Sequence, residues 1–134
     1  MNSMRPHKSA KQLVDEANAV VTSLSVEEAA ELQHDDSVLF VDLRDVRELQ
    51  QHGTIPGAFH APRGMLEFWV DPDSPYYKPV FGEHKRFVLF CQSSWRSALA
   101  ARSLEEMGIP GVAHLTGGYK AWQAAGRATE AVSR

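Results

Sequence analysis

Two short runs limit what this chain can fold into: VLFVDL at residues 38–43 and RFVLF at Arg86–Phe90. Neither alternates apolar with polar residues, as a strand with one wet face would. Continuous apolar character over so short a span suits strands of a parallel sheet that is covered on both faces. Parallel neighbours need crossover connections, and a helix signal follows each run. After the first, Asp45 and Glu48 make a capping-box pattern and Gly53 is a stop, which predicts a helix over 46–52. After the second, 96–107 has helix-forming composition with Gly108 behind it.

The same reasoning extends along the chain. Ser25 and Glu28 repeat the capping box and open a helix that runs to Gln33. Further helices are expected at 9–19, with Leu13, Val14 and Ala17 as its apolar stripe, at 65–70 and at 119–125. Short strands are expected at 20–23, 58–61 and 112–115. Ile55-Pro56-Gly57 is a tight turn, Pro presetting φ and Gly supplying a positive one. Residues 1–8 read as disordered, and 71–79, with Pro72, Pro75 and Pro79, as a surface loop. Alternating strands and helices predict an α/β domain with a mostly parallel central sheet flanked by helices on both faces. At 134 residues one such domain is expected, over 20–127, with a tail and short helix at 1–19 and a tail at 128–134.

Composition narrows the partners. A content of 43% hydrophobic and 23% charged residues is that of a globular domain. The net charge of −3 leaves no excess of Lys and Arg for nucleic acid. No apolar run approaches the ~20 residues that span a bilayer, and 1–11 lacks the apolar stretch of a secretory signal. A soluble, cytoplasmic protein that binds neither nucleic acid nor membrane is expected. Cys91 is the only cysteine, which excludes an internal disulfide and a multi-thiolate metal site. The six histidines have no ligand-type spacing, so neither metal nor cofactor is expected.

Cys91 directly follows RFVLF, at the carboxyl end of a strand, where ligands bind in open parallel sheets. A loop there turns backbone amides inward, and the helix start adds partial positive charge. Such a setting binds an anion and stabilises a thiolate. Arg96 adds a fixed charge and a donor fork, to anchor the loop or to bind substrate. On position alone, the alternative is a buried structural cysteine, since free Cys behaves as a small hydrophobe. Asp42 and Arg44 close the neighbouring strand. A buried ion pair tying the strand ends is favoured over direct chemistry, because buried charges are usually paired. His60 and Arg63 either border the pocket or stand on the surface behind it. Gly117 and Gly118 suit tight backbone packing, and Trp122 the core.

Cys91-Gln92-Ser93-Ser94-Trp95-Arg96 resembles the active-site loop of the rhodanese domain, a Cys and an Arg with four residues between. Val41-Asp42-Leu43-Arg44 with Glu48 is similar to that family's early strand and helix, and Ile55-Pro56-Gly57-Ala58 to its next turn. Leu115-Thr116-Gly117-Gly118-Tyr119 with Trp122 is similar to its closing segment, so the likeness covers residues 20–127 in order. It implies a rhodanese-like fold and sulfur transfer. The thiolate of Cys91 would take a sulfane sulfur from thiosulfate or a persulfide donor, then pass it to cyanide or to a small or protein thiol. Gln92, Ser93, Ser94, Trp95 and Arg96 would hold the donor, and Asp42, Arg44 and Arg63 would support them. A lone cysteine fits, because the persulfide needs an external acceptor.

The chain departs from the family in three places. Thr54 stands where the family commonly has His, which concerns turn packing. The loop has neither the basic residue nor the glycine that many active members carry between Cys and Arg, which leaves thiosulfate preference open. Trp95 shields the site, faces a partner or packs. Residues 71–85 look like an insertion and a candidate rim of the pocket. Two other functions compete: a non-enzymatic persulfide carrier or interaction module, and an enzyme like the dual-specificity phosphatases or arsenate reductases. The latter have a loop one residue longer, whose Arg position Ser97 occupies here, and the shorter cradle disfavours phosphate.

Overall fold

Both apolar runs lie at the centre of a five-stranded parallel sheet of order β1-β5-β4-β2-β3. The structure is a computed structural model and describes residues 4–83 and 85–133. The strands are β1 (Thr22–Leu24), β2 (Val38–Asp42), β3 (Phe59–His60), β4 (Arg86–Phe90) and β5 (Ala113–Leu115). The register of β2 on β4 runs from Val38 opposite Arg86 to Asp42 opposite Phe90. Successive side chains point to opposite faces. Leu39, Val41, Phe87 and Leu89 therefore enter one core cluster while Phe40, Val88 and Phe90 enter another. This two-sided burial is why neither run alternates.

The first cluster is covered by α4 (Leu66–Val70) and α5 (Trp95–Glu106), and the second by α2 (Val26–Leu32) and α6 (Gly118–Ala124). The capping boxes form at Ser25 and Glu28, and at Asp45 and Glu48, the second opening α3 (Val46–His52), which Gly53 ends at φ +79°. A third box at Ser9 and Gln12 opens α1 (Ala10–Val20), which packs on α5 through Val14, Ala17 and Ala98. Trp122 is fully buried.

Several boundaries differ from expectation. Val20 completes α1, so β1 begins two residues later than the expected strand, where pairing with β5 sets its register. Leu13 is 41% exposed, because the narrow face that α1 presents to α5 is filled by Val14 and Ala17. The expected disorder at 1–8 falls partly outside the described residues; residues 4–8 carry no helix or strand, and Lys8 pairs with Glu16 at 2.8 Å. The segment after Glu130 follows an anchored stretch: Trp122 Nε1 donates to the carbonyl of Ala128 at 2.8 Å, and Thr54 and Glu130 exchange backbone bonds at 2.9 Å.

The insertion after α4 does not rim the site. Phe81, in a 3₁₀ turn at Pro79–Gly82, packs edge-to-face on Phe59 and on Phe87 near the start of β4. A groove of about 300 Å³ lies there between Val70, Tyr77, Phe81 and Ile109. It sits at the amino end of the strand that carries Cys91 at its other end, because α4 runs back along the sheet first.

Candidate active site

The carboxyl ends of β2 and β4 are joined by the Leu43 amide, which donates to the Phe90 carbonyl at 2.9 Å. Arg63 N–H in turn donates to the Leu43 carbonyl at 3.0 Å. Asp42, Arg44, Arg63 and Cys91 thus share one end of the sheet. Cys91 is only 1% exposed, which keeps bulk water off its sulfur. Ser94, the residue before α5, has φ 115° and ψ −11°, a conformation that side chains other than Gly rarely adopt. It turns its amide onto Cys91 Sγ at 3.2 Å, at the positive end of α5.

The other side of the loop rests on α6. The amide of Tyr119 donates to the Cys91 carbonyl at 2.8 Å, and that of Lys120 to the Gln92 carbonyl at 3.1 Å. A Cβ at Gly118 would lie 2.5 Å from the Cys91 oxygen and 2.7 Å from the Gln92 carbonyl carbon. Only glycine permits this approach, which bears out the packing role read for it.

Arg44 is fully buried, and each of its guanidinium nitrogens has a partner. Its Nε and Nη2 donate to the two Asp42 oxygens at 3.0 and 2.8 Å, and Nη2 also to the Gly53 carbonyl at 2.7 Å. Nη1 donates to Gln92 Oε1 at 3.1 Å, and the guanidinium lies 4.2 Å above the Tyr119 ring. Thr54 Oγ1 donates to Asp42 at 2.8 Å, so the departure at 54 is absorbed into the same pair. Both members of the ion pair stand at the end of β2, and Arg44 links it to the loop after β4 through Gln92.

Arg96 gives two hydrogen bonds to Glu48 at 2.9 and 3.0 Å. The bonded carboxylate, burial opposing it, leaves the guanidinium pKa raised, with the Cys91 sulfur adding a smaller pull. Arg96 is therefore the loop's anchor on α3. Glu48, read from the sequence as a helix cap, also accepts from Asp45 N–H at 2.9 Å. Its second task crosses forty-eight positions and has no local signature. Arg63 turns instead to Glu67 at 2.8 and 3.0 Å, and His60 to the Arg44 carbonyl at 2.7 Å. Neither bond leads to Cys91. Ser93 is exposed, and Trp95, 50% exposed, stands in solvent beside the loop instead of packing in the core.

Sequence reasoning passed over His114, whose Nδ1 lies 2.9 Å from Ser97 Oγ. Burial pushes its pKa down to about 4. The available signal was a polar residue inside an otherwise apolar short strand.

The rhodanese-like domain family matches residues 25–125, and the chain belongs to that family. A solved structure from Rhodopseudomonas palustris, of a protein of unknown function called a possible tyrosine phosphatase, is 44% identical with a TM-score of 0.93. That likeness covers 97% of this chain and 100% of that one. An uncharacterised protein of Synechocystis sp. is 37% identical over 100 residues, 74% of this chain and 50% of its own length. The chain thus spans about half the length of that curated relative. The thiosulfate:glutathione sulfurtransferase of Homo sapiens is 28% identical over 88 residues, 60% of this chain and 76% of that protein. Among the described residues, no helix is long and apolar enough to cross a membrane.

Proposed function

We propose that the protein is a rhodanese-type sulfurtransferase that carries a sulfane sulfur on Cys91 as a persulfide. The observation that carries this reading is the Ser94 amide, 3.2 Å from the Cys91 sulfur in a loop opening α5. A thiolate there attacks the outer sulfur of thiosulfate. The new S–S bond forms as the old one breaks, and sulfite leaves with the bonding electron pair. The terminal sulfur of the persulfide is then attacked by cyanide, releasing thiocyanate, or by a thiolate, giving a new persulfide; either way the Cys91 thiolate returns. No outside oxidant or reductant is needed. The amides of residues 92–96 receive the charge of donor and persulfide, the role of an oxyanion hole. Gln92 is oriented by Arg44, Arg96 holds the loop on α3, and Ser93 and Trp95 face the incoming partner. A cytoplasmic setting suits a thiol that must stay reduced.

A persulfide-carrier variant of this reading has one observation in its favour. Residues 92–95 bring no basic side chain, and Arg96 shares its charge with Glu48, so the amides would carry most of the recognition of a dianion. A protein or glutathione persulfide, which presents a single negative charge at its reacting sulfur group, suits that cradle better than thiosulfate does.

Intact-mass measurement tests the reading, on wild type and Cys91→Ser after exposure to thiosulfate or to glutathione persulfide. One added sulfur atom on wild type and none on the variant is expected. Loading without cyanide turnover selects the carrier. No loading from either donor overturns the proposal, as does Cys91-dependent hydrolysis of an aryl phosphate.

A further inference from the structure

Behind the loop, on the sheet face that α5 covers, a set of neutral polar side chains meets in the core. Its centre is His114 of β5, 1% exposed. Nε2 lies 2.9 Å from Asn18 Oδ1 of α1 and 3.1 Å from Ser23 Oγ of β1. Nδ1 lies 2.9 Å from Ser97 Oγ of α5, which in turn lies 3.1 Å from the Ser94 carbonyl. We infer that His114 is a positioning residue. Through Ser97 it holds Ser94 in the left-handed conformation that aims the Ser94 amide at the Cys91 sulfur. The inference rests on the sulfur-loading role proposed for that loop.

With Asn18 Oδ1 facing Nε2 as an acceptor, the neutral ring carries its proton on Nε2, and Nδ1 accepts. The Ser97 hydroxyl has a single proton facing two acceptors, Nδ1 and the Ser94 carbonyl, an arrangement found in three-centre bonds near helix ends. His114 thereby fixes the rotamer of a side chain that is itself fully buried. The side chains facing the ring, Asn18, Ser23 and Ser97, carry no charge, and burial alone accounts for its depressed pKa.

The device is needed because of Ser94. At φ 115° a residue with a Cβ is strained, and such strain persists only where the surroundings over-determine the conformation. The Ser94 carbonyl is gripped by the Ala98 amide at 3.0 Å and by Ser97 Oγ, while its own amide faces the sulfur. A glycine at 94 would hold the same φ without that grip. The polar cluster thus compensates for the side chain at 94.

The test uses His114→Leu and Ser97→Ala, each alone and combined with Ser94→Gly. Two rates are read: single-turnover persulfide formation at Cys91, with whichever donor loads wild type, and hydrogen exchange of the residue-94 amide. Each single variant is expected to load about tenfold more slowly at saturating donor and to exchange that amide about tenfold faster, the weight of one hydrogen bond. Amides of β4 such as Leu89 should keep their protection. Adding Ser94→Gly should bring both rates to within about twofold of Ser94→Gly alone, since Gly holds the positive φ unaided. Wild-type loading rates in both single variants overturn the inference, as does failure of Ser94→Gly to rescue, which would mark a general loss of stability. If His114→Leu does not fold, Ser97→Ala decides, since it removes one hydroxyl and fills no new space. If wild type itself takes up no sulfur, the sulfurtransferase reading fails, and the exchange rates alone decide whether His114 positions Ser94.

Discussion

Arg96 and Glu48 meet in a two-pronged ion pair, at 2.9 and 3.0 Å, between the first turns of α5 and α3. The pair fastens the Cys91 loop to the neighbouring helix, and it occupies the one guanidinium that the sequence offers within the loop. Two of its N–H groups go to Glu48, and its charge still acts on the Cys91 sulfur. A double-mutant cycle with Arg96→Ala and Glu48→Gln should give a coupling of about 0.5–1 kcal/mol in unfolding free energy, as for a partly exposed pair. Both variants should slow persulfide formation. Independent, additive effects would contradict the anchoring role.

The pair has a pH signature. The hydrogen bond from Arg96, acting against burial, holds the Glu48 carboxyl below its usual 4.5. A lowered folded-state pKa means stability present above the unfolded value and lost as pH falls through the folded one. Urea midpoints of wild type should therefore drop more steeply below pH 4.5 than those of Glu48→Gln.

His114 gives a second, separable dependence. Its folded-state pKa of about 4 lies beneath the ordinary 6.5, so the unfolded chain binds a proton in a window where the native state does not. Stability should fall as pH drops from 6.5 toward 4, by about 1 kcal/mol per pH unit from this group. Unfolding curves of His114→Gln should lose that slope; an unchanged slope would contradict the neutral, buried state of the ring.

Gly118→Ala drives a methyl group into the backbone of Cys91 and Gln92, at a residue whose φ is +65°. Backbone cannot yield as a flexible side chain does, and the cost should be about 2–4 kcal/mol. Chemical denaturation measures it, and the folded fraction should load sulfur poorly because the loop itself is displaced.

Asp42→Asn leaves the Arg44 charge buried with its main partner weakened. Removing one partner of a buried pair costs about 3–5 kcal/mol. Stability should fall more than the loading rate of the folded fraction, since Asp42 reaches the loop only through Arg44 and Gln92.

The central strands, the capping boxes and the place of Cys91 were legible because each is written in adjacent residues. VLFVDL and RFVLF declare two-sided burial, and a cysteine after such a run lands where parallel sheets bind ligands. What stayed hidden depends on distant partners. β1 has no apolar run of its own and takes its register from β5. The segment at 71–85 is carried to the far end of the sheet by the direction of α4. Glu48 looks complete as a cap, and His114 draws its partners from Asn18, Ser23 and Ser97.

The central claim is that Cys91 passes sulfur on. Thiocyanate formed from thiosulfate and cyanide, measured side by side on reduced wild type and Cys91→Ala, tests it most directly. Turnover by wild type that vanishes in the folded variant is the predicted result. Equal thiocyanate formation by the two proteins would contradict it.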